Sequence, residues 1–139
     1  PKEDLLLMLF DGAIRFAEQA KLKIAQKDYE GGGKLLIRAQ RIVIELMTSL
    51  NRDLVGDEIY GNLMSLYNFI YFRLVNANMR KDNAMVGEAV KILSHLRETW
   101  SQAVEKNRRE QFPQLALIEK AQKEHTAAAS ASAPLNIQG

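Results

Sequence analysis

Few residues in this 139-residue chain can do covalent or metal chemistry: it has no cysteine and two histidines, His95 and His125. Without cysteine there is no disulfide framework, thiol nucleophile, cysteine-rich zinc site or iron–sulfur cluster. A di-iron centre of the ferritin kind needs Glu-x-x-His pairs turned into a bundle. Here the residue three before His95 is Ile92, and three before His125 is Gln122. His95-x-x-Glu98 runs in the reverse order and has no second copy. A solvated or hydrogen-bonded surface histidine is the better reading of each. There is no His-Glu-x-x-His pair, no Gly-x-x-x-x-Gly-Lys-[Ser/Thr] loop and no Gly-x-Ser-x-Gly elbow. No metal and no cofactor is expected.

One further chemistry stays open. A helical bundle can hold a small anion with inward Arg, Lys and Glu side chains, as helical chorismate mutases do. Arg15, Arg38, Arg41, Glu45 and Arg73 all lie in apolar segments. Arg38, Arg41 and Glu45 share one helical face, however, a spacing that suits a solvent-facing stripe and makes the surface reading the stronger one. A small helical-bundle enzyme acting on an anionic metabolite is therefore the runner-up. Its mark would be a polar cavity lined by at least two arginines.

The elements that would position these residues are helices. Apolar residues make up 47% of the chain and charged residues 26%, ordinary values for one folded domain. Prolines stand only at 1, 113 and 134. Between them, apolar residues recur in steps of three and four, and strand-like alternation is absent. Segments over about 2–27, 30–51, 57–80 and 83–107 carry stripes such as Leu6/Leu9/Ala13/Phe16/Ala20/Ile24 and Ile59/Leu63/Leu66/Ile70/Leu74/Ala77. Pro1 suits a first helical turn. Asp28 and the Lys81-Asp82-Asn83 turn supply capping candidates. Gly31-Gly32-Gly33 weakens the start of the second helix by about 1 kcal/mol per glycine against alanine, so a late or frayed start is expected there. Asn51 to Gly56 makes the second turn.

Short connections force neighbouring helices antiparallel, which predicts an all-α, up-down four-helix bundle over 1–107. In 108–139, Phe112-Pro113 breaks the fourth helix and Leu115 to Glu124 suits a short fifth helix. The Ala/Ser-rich run from Thr126 reads as a flexible tail.

Net charge is +2, with no basic stripe longer than a pair, so nucleic acid is not an expected partner. Leu5 to Phe10 is too short to cross a bilayer and follows Glu3-Asp4, not the basic stretch of a signal peptide. Membrane insertion is not expected either. The cysteine count agrees with a reducing cytoplasm. The chain opens on Pro1 and not Met, so its natural start is expected upstream.

The informative feature is an apolar surplus. One helix of an antiparallel bundle needs an apolar stripe of about 100°. Beside Leu35/Ala39/Ile42/Leu46, the second segment carries Leu36/Val43/Met47/Leu50 and a third row, Ile37/Ile44. The third segment adds Tyr60/Met64/Tyr67/Tyr71, Phe69 and Phe72. Three coverings are open for the surplus: the tail, a second subunit in an obligate dimer, or the helix of another protein laid in an exposed groove. A slightly wide core stripe is the plainer account. Ile44, Met47, Leu50, Tyr60, Met64, Tyr67 and Tyr71 are the expected apolar contacts of such a groove. Asn51 and Asn78 are polar candidates, for which helix-end capping is at least as good a reading.

Leu5-Leu6-Leu7-Met8-Leu9-Phe10-Asp11-Gly12-Ala13-Ile14-Arg15-Phe16 resembles the opening helix of the flagellar secretion chaperone family, FliS. Ala39 to Leu46 with Ser49-Leu50, Asn62-Leu63 through Tyr67, Leu74 to Asn78, and Leu96 to Trp100 are similar to further stretches of the family, in order, over about residues 1–105. The resemblance implies a cytoplasmic, non-enzymatic chaperone, a monomer or weak homodimer. Its client would be the C-terminal segment of flagellin, kept from premature polymerisation and presented to the flagellar type III export apparatus. Export-gate proteins or co-chaperones are implied as further partners. Phe10 departs from the family's usual tyrosine. The family's tyrosine-rich arm before the first helix is not among these residues, and no self-plugging role is assigned to one.

Overall fold

The structure is a computed structural model. It describes residues 2–111 and 113–138, and among these the side chains of all but 115, 116 and 130–138. Pro1, expected in a first helical turn, and Phe112, expected to help break the fourth helix, lie outside the described residues. Six helices follow in order: α1 (Lys2–Ala25), α2 (Tyr29–Ser49), α3 (Arg52–Val55), α4 (Asp57–Arg80), α5 (Asn83–Gln111) and α6 (Pro113–Gln138). No strand occurs among the described residues. None of the described helices is long and apolar enough to cross a membrane.

The chain divides into two compact units, Pro1–Ser101 and Gln102–Gly139. The division falls inside α5, a little before the boundary expected after residue 107. The first unit is the antiparallel four-helix bundle. At the start of α2 and end of α1, a Cβ on Gly32 would lie 2.8 Å from Ile24 Cγ1. At the end of α4 a Cβ on Gly33 would lie 3.1 Å from Asn78 Oδ1. Arg73 of α4 pairs with Glu88 of α5 at 3.1 Å, and Arg97 of α5 returns to Asp11 of α1 at 2.9 Å. The ring α1–α2–α4–α5 is thus closed by contacts between each adjacent pair.

The centre is dry. Phe10, Ala13, Ala17, Ala20, Leu36, Ala39, Val43, Leu46, Ile70, Leu74, Val86, Ala89 and Leu93 are buried there, and among the described residues the Tyr67 phenol is the one buried side chain with a polar group. The arginine-lined cavity that the anion-binding alternative requires is not found in it.

Two loops use the same dipeptide in the same way. Lys27 (φ 63°) and Lys81 (φ 55°) both adopt the left-handed conformation after a helix end. The next residue's N–H reaches back to the last turn: Asp28 N to Lys23 O at 2.9 Å, and Asp82 N to Ala77 O at 3.1 Å. This closes orphan helix carbonyls. Each aspartate then caps the following helix, Asp28 accepting from Gly31 N at 3.0 Å and Asp82 from Ala84 N at 2.9 Å. Asp28 is therefore the cap expected from its position.

The expected late start of α2 is wrong. The helix begins at Tyr29, ahead of the three glycines, because close packing of Gly32 on Ile24 and Gly33 on Asn78 offsets their poor propensity. The Asn51–Gly56 turn contains the single turn α3, capped by Asn51 and closed by Gly56 at φ 85°.

In the second unit, Arg108 on α5 reaches Glu119 on α6 at 2.6 Å and Glu105 at 3.1 Å, with Arg109 also on Glu105. Hydrogen bonding from Arg108, above all, holds the Glu105 carboxyl below its ordinary range. The short helix expected at 115–124 is part of the longer α6, whose backbone stays helical through the Ala/Ser-rich residues to Gln138. Alanine is the strongest helix former and adds no side-chain ordering cost there.

Candidate functional site

At 3.6 residues per turn, consecutive residues are about 100° apart around a helix, so a known contact fixes which neighbour each flank faces. On α2, Gly33 meets α4 and Ile42 meets Gly12 of α1. Tyr29, Ile37, Gln40, Ile44 and Met47 share the Gly33 flank. On α4, Asn78 meets α2 and Arg73 meets α5. Tyr60, Met64, Tyr67 and Tyr71 share the Asn78 flank. Ile44, Met47, Tyr60, Met64, Tyr67, Tyr71 and Asn78 therefore lie on the two facing flanks of the seam, or furrow, between α2 and α4, about 25 Å long, while Leu50 and Asn51 stand in the turn beyond α2.

Burial sorts these residues into three groups. Ile44 is exposed at 42%, well above what a core position allows. Met47, Leu50, Met64 and Tyr71 are half-buried, packed on the core yet reaching the surface. Tyr60 is half-buried with the Arg52 guanidinium over its ring at 5.5 Å, and Arg52 is held at 2.7 Å by Asp57. Tyr67 is the exception. It is 4% exposed, its ring centroid lies 6.4 Å from that of Phe10, and burial pushes its phenol up to about 12. It is core, as the plainer account of the apolar surplus has it.

The two asparagines are occupied locally. Asn51 Oδ1 accepts from Asp53 N at 3.0 Å, the helix-end capping role open to it from its position. Asn78 Oδ1 accepts from Lys81 Nζ at 3.2 Å and lies against Gly33.

Two residues of the same face are missing from the expected contacts, although Ile37 belongs to the apolar surplus. Ile37 is 40% exposed and stands seven residues before Ile44, which is signal enough to include it. Tyr29, 42% exposed with Lys81 Nζ 5.9 Å from its ring centroid, is hidden because its place in the sequence reads as part of a connection. On the other flank of α4, Leu66, Phe69 and Phe72 also stand exposed, so the apolar surplus exceeds what the core absorbs.

Nothing in this arrangement joins a nucleophile to a base. A shallow hollow beside Glu119, Gln122, Lys123, Thr126 and Ala127 is formed by one face of α6. The described residues hold no cluster of three metal-ligating side chains. What the furrow offers is apolar area with aromatic and thioether side chains, the surface chemistry of helix-in-groove recognition.

Comparison with known proteins agrees with the resemblance seen in α1. The family model described as "Flagellar protein FliS" matches residues 1–107. The flagellar secretion chaperone FliS of Bacillus subtilis is 34% identical over 107 residues, 77% of this chain and 78% of that protein. The protein of the same name from Salmonella typhimurium is 36% identical over 99 residues, 70% of this chain and 73% of its own length. That from Escherichia coli is 30% identical over 104 residues, or 74% and 76%. This chain, a helical bundle with an apolar furrow, matched over 1–107, belongs to the FliS family of flagellar proteins.

Proposed function

We propose that this protein is a cytoplasmic export chaperone that binds the disordered C-terminal segment of flagellin, prevents its premature polymerisation and presents it to the flagellar type III export apparatus. The observation that carries the reading is the exposed apolar row on α2, Ile37 and Ile44, facing α4 in a chain of the FliS family. A disordered client lays short amphipathic helices into the furrow and orders as it binds. The aromatic rings and methionines supply area that adapts to the client's side chains. Ile44, Met47, Leu50, Tyr60, Met64 and Tyr71 are the contacts proposed, with Ile37 and Tyr29 added to them. Asn51 and Asn78 act at the furrow's ends chiefly as helix-end groups. The work is binding alone and calls for no covalent step.

Calorimetric titration with a peptide from the C-terminus of flagellin, followed in parallel by far-ultraviolet dichroism, tests this. The expected result is an association in the micromolar range or tighter with a gain in helicity. No heat and no gain at micromolar concentrations would sink the proposal. Ile44→Glu removes an apolar contact worth about 1.5–3 kcal/mol when fully buried and places a charge there, so a tenfold or greater loss of affinity is expected. Its helicity should match the parent's, because Ile44 is outside the core.

A further inference from the structure

We propose that the outer face of α1 and α2 carries a recognition surface for an acidic protein segment, built from Arg15 and Arg38, whose guanidinium groups both lie over the Phe16 ring, with Arg41 one turn on from Arg38. The Cζ of Arg15 is 5.3 Å and that of Arg38 is 4.9 Å from the same ring centroid. The two guanidinium carbons are thus within about 10 Å of each other, near the screening length at physiological salt.

Both arginines, and Arg41, are exposed, and none of the three has an ion pair among the described residues. Their neighbours differ in this. Lys23 has Asp28 at 3.7 Å and Lys34 has Glu30 at 3.4 Å. The interhelical arginines Arg73 and Arg97 have Glu88 and Asp11. Glu45 stands one turn after Arg41 and makes no pair with it among the described residues. Positive charge on this face is therefore gathered around one half-buried aromatic ring, with none of the three arginines ion-paired among the described residues.

The ring orders the two side chains by cation–π attraction, so less freedom is lost when a ligand arrives. Each guanidinium can still offer a planar fork to a carboxylate. Two carboxylates two or three residues apart on an extended chain, at about 3.3 Å per residue, span the separation. The site is narrow and the whole chain is only +2, unlike the broad basic field that a membrane surface or a polyphosphate backbone requires. That favours discrete carboxylates. On α2, Arg38 lies about 120° around the helix from Ile44, so this surface and the α2/α4 furrow can be filled together. The inference does not depend on what the furrow binds.

The test uses a fluorescein-labelled peptide with glutamates at every second or third position, measured by fluorescence anisotropy against the full chain. Binding that weakens as salt rises, and that falls roughly tenfold or more in the Arg15→Gln/Arg38→Gln double variant, supports the proposal. Arg80→Gln serves as the control and should change nothing. Arg38→Lys keeps the charge but loses the fork and should recover only part of the affinity. Helicity and thermal midpoint of each variant confirm the fold. No binding at about 100 μM, or an equal loss in Arg80→Gln, overturns the proposal. So does tighter arginine-dependent binding to vesicles containing phosphatidylserine or to a single-stranded oligonucleotide, since the surface would then serve lipid or nucleic acid.

Discussion

Tyr67 and Ile44 sit on neighbouring helices, both in apolar rows, and the structure gives them opposite roles. The Tyr67 phenol is buried and pushed up to about 12 from 10.0 by desolvation. A phenol that resists ionisation when folded contributes stability in full below pH 10, and that contribution is lost as pH rises toward 12. A displacement of that size corresponds to about 2–3 kcal/mol between the neutral and ionised phenol. Urea unfolding of the parent should therefore show a steeper loss of stability between pH 10 and 12 than Tyr67→Phe, whose ring cannot ionise. Equal slopes would mean that the hydroxyl is hydrated. Tyr67→Glu should unfold the bundle outright, whereas Ile44→Glu should only weaken client binding. The pair of variants separates core from surface on the same furrow.

At the scale of the element, loops and glycines make the bundle's geometry. Lys27 holds a left-handed conformation without glycine's freedom, a strain of about 1 kcal/mol. Lys27→Gly should raise the unfolding free energy by roughly 0.5 kcal/mol, after the added entropy of the unfolded chain is subtracted. Gly61 and Gly32 form a sharper contrast. A Cβ on Gly61 meets nothing within 4 Å in the interior of α4, so Gly61→Ala should stabilise by about 0.5–1 kcal/mol. A Cβ on Gly32 would come 2.8 Å from Ile24 Cγ1, so Gly32→Ala should cost about 1–3 kcal/mol by overpacking the α1–α2 contact. Chemical denaturation of the two variants checks both signs. A stabilising Gly32→Ala would show that Ile24 moves aside freely.

For the whole molecule, every residue of the buried core among the described residues lies between Phe10 and Leu93, inside the first compact unit. The family match ends at residue 107. We expect the fragment 1–107 to keep the cooperative unfolding and the client affinity of the full chain, with losses below about 1 kcal/mol. Loss of either on truncation would show that the second unit takes part. The bundle's own interhelical pairs, Arg73 with Glu88 and Arg97 with Asp11, are partly exposed and screened, so raising salt should leave the bundle's stability nearly unchanged.

Much of this is legible in the chain alone. The three-and-four spacing of apolar residues dictates helices, short Lys-Asp connections dictate antiparallel neighbours, and the Leu5-to-Phe16 run points to the family. Those are local properties, set by backbone geometry and capping chemistry within a few residues. The start of α2 is not legible, because propensity counts against three glycines and only the neighbouring Ile24 and Asn78 show why they are there. Nor can spacing separate Tyr67 from Tyr71 or Ile44. An apolar row has the same period whether a neighbouring helix covers it or leaves it open, so the tertiary packing of α2 against α4 decided which of these side chains became core and which remained surface.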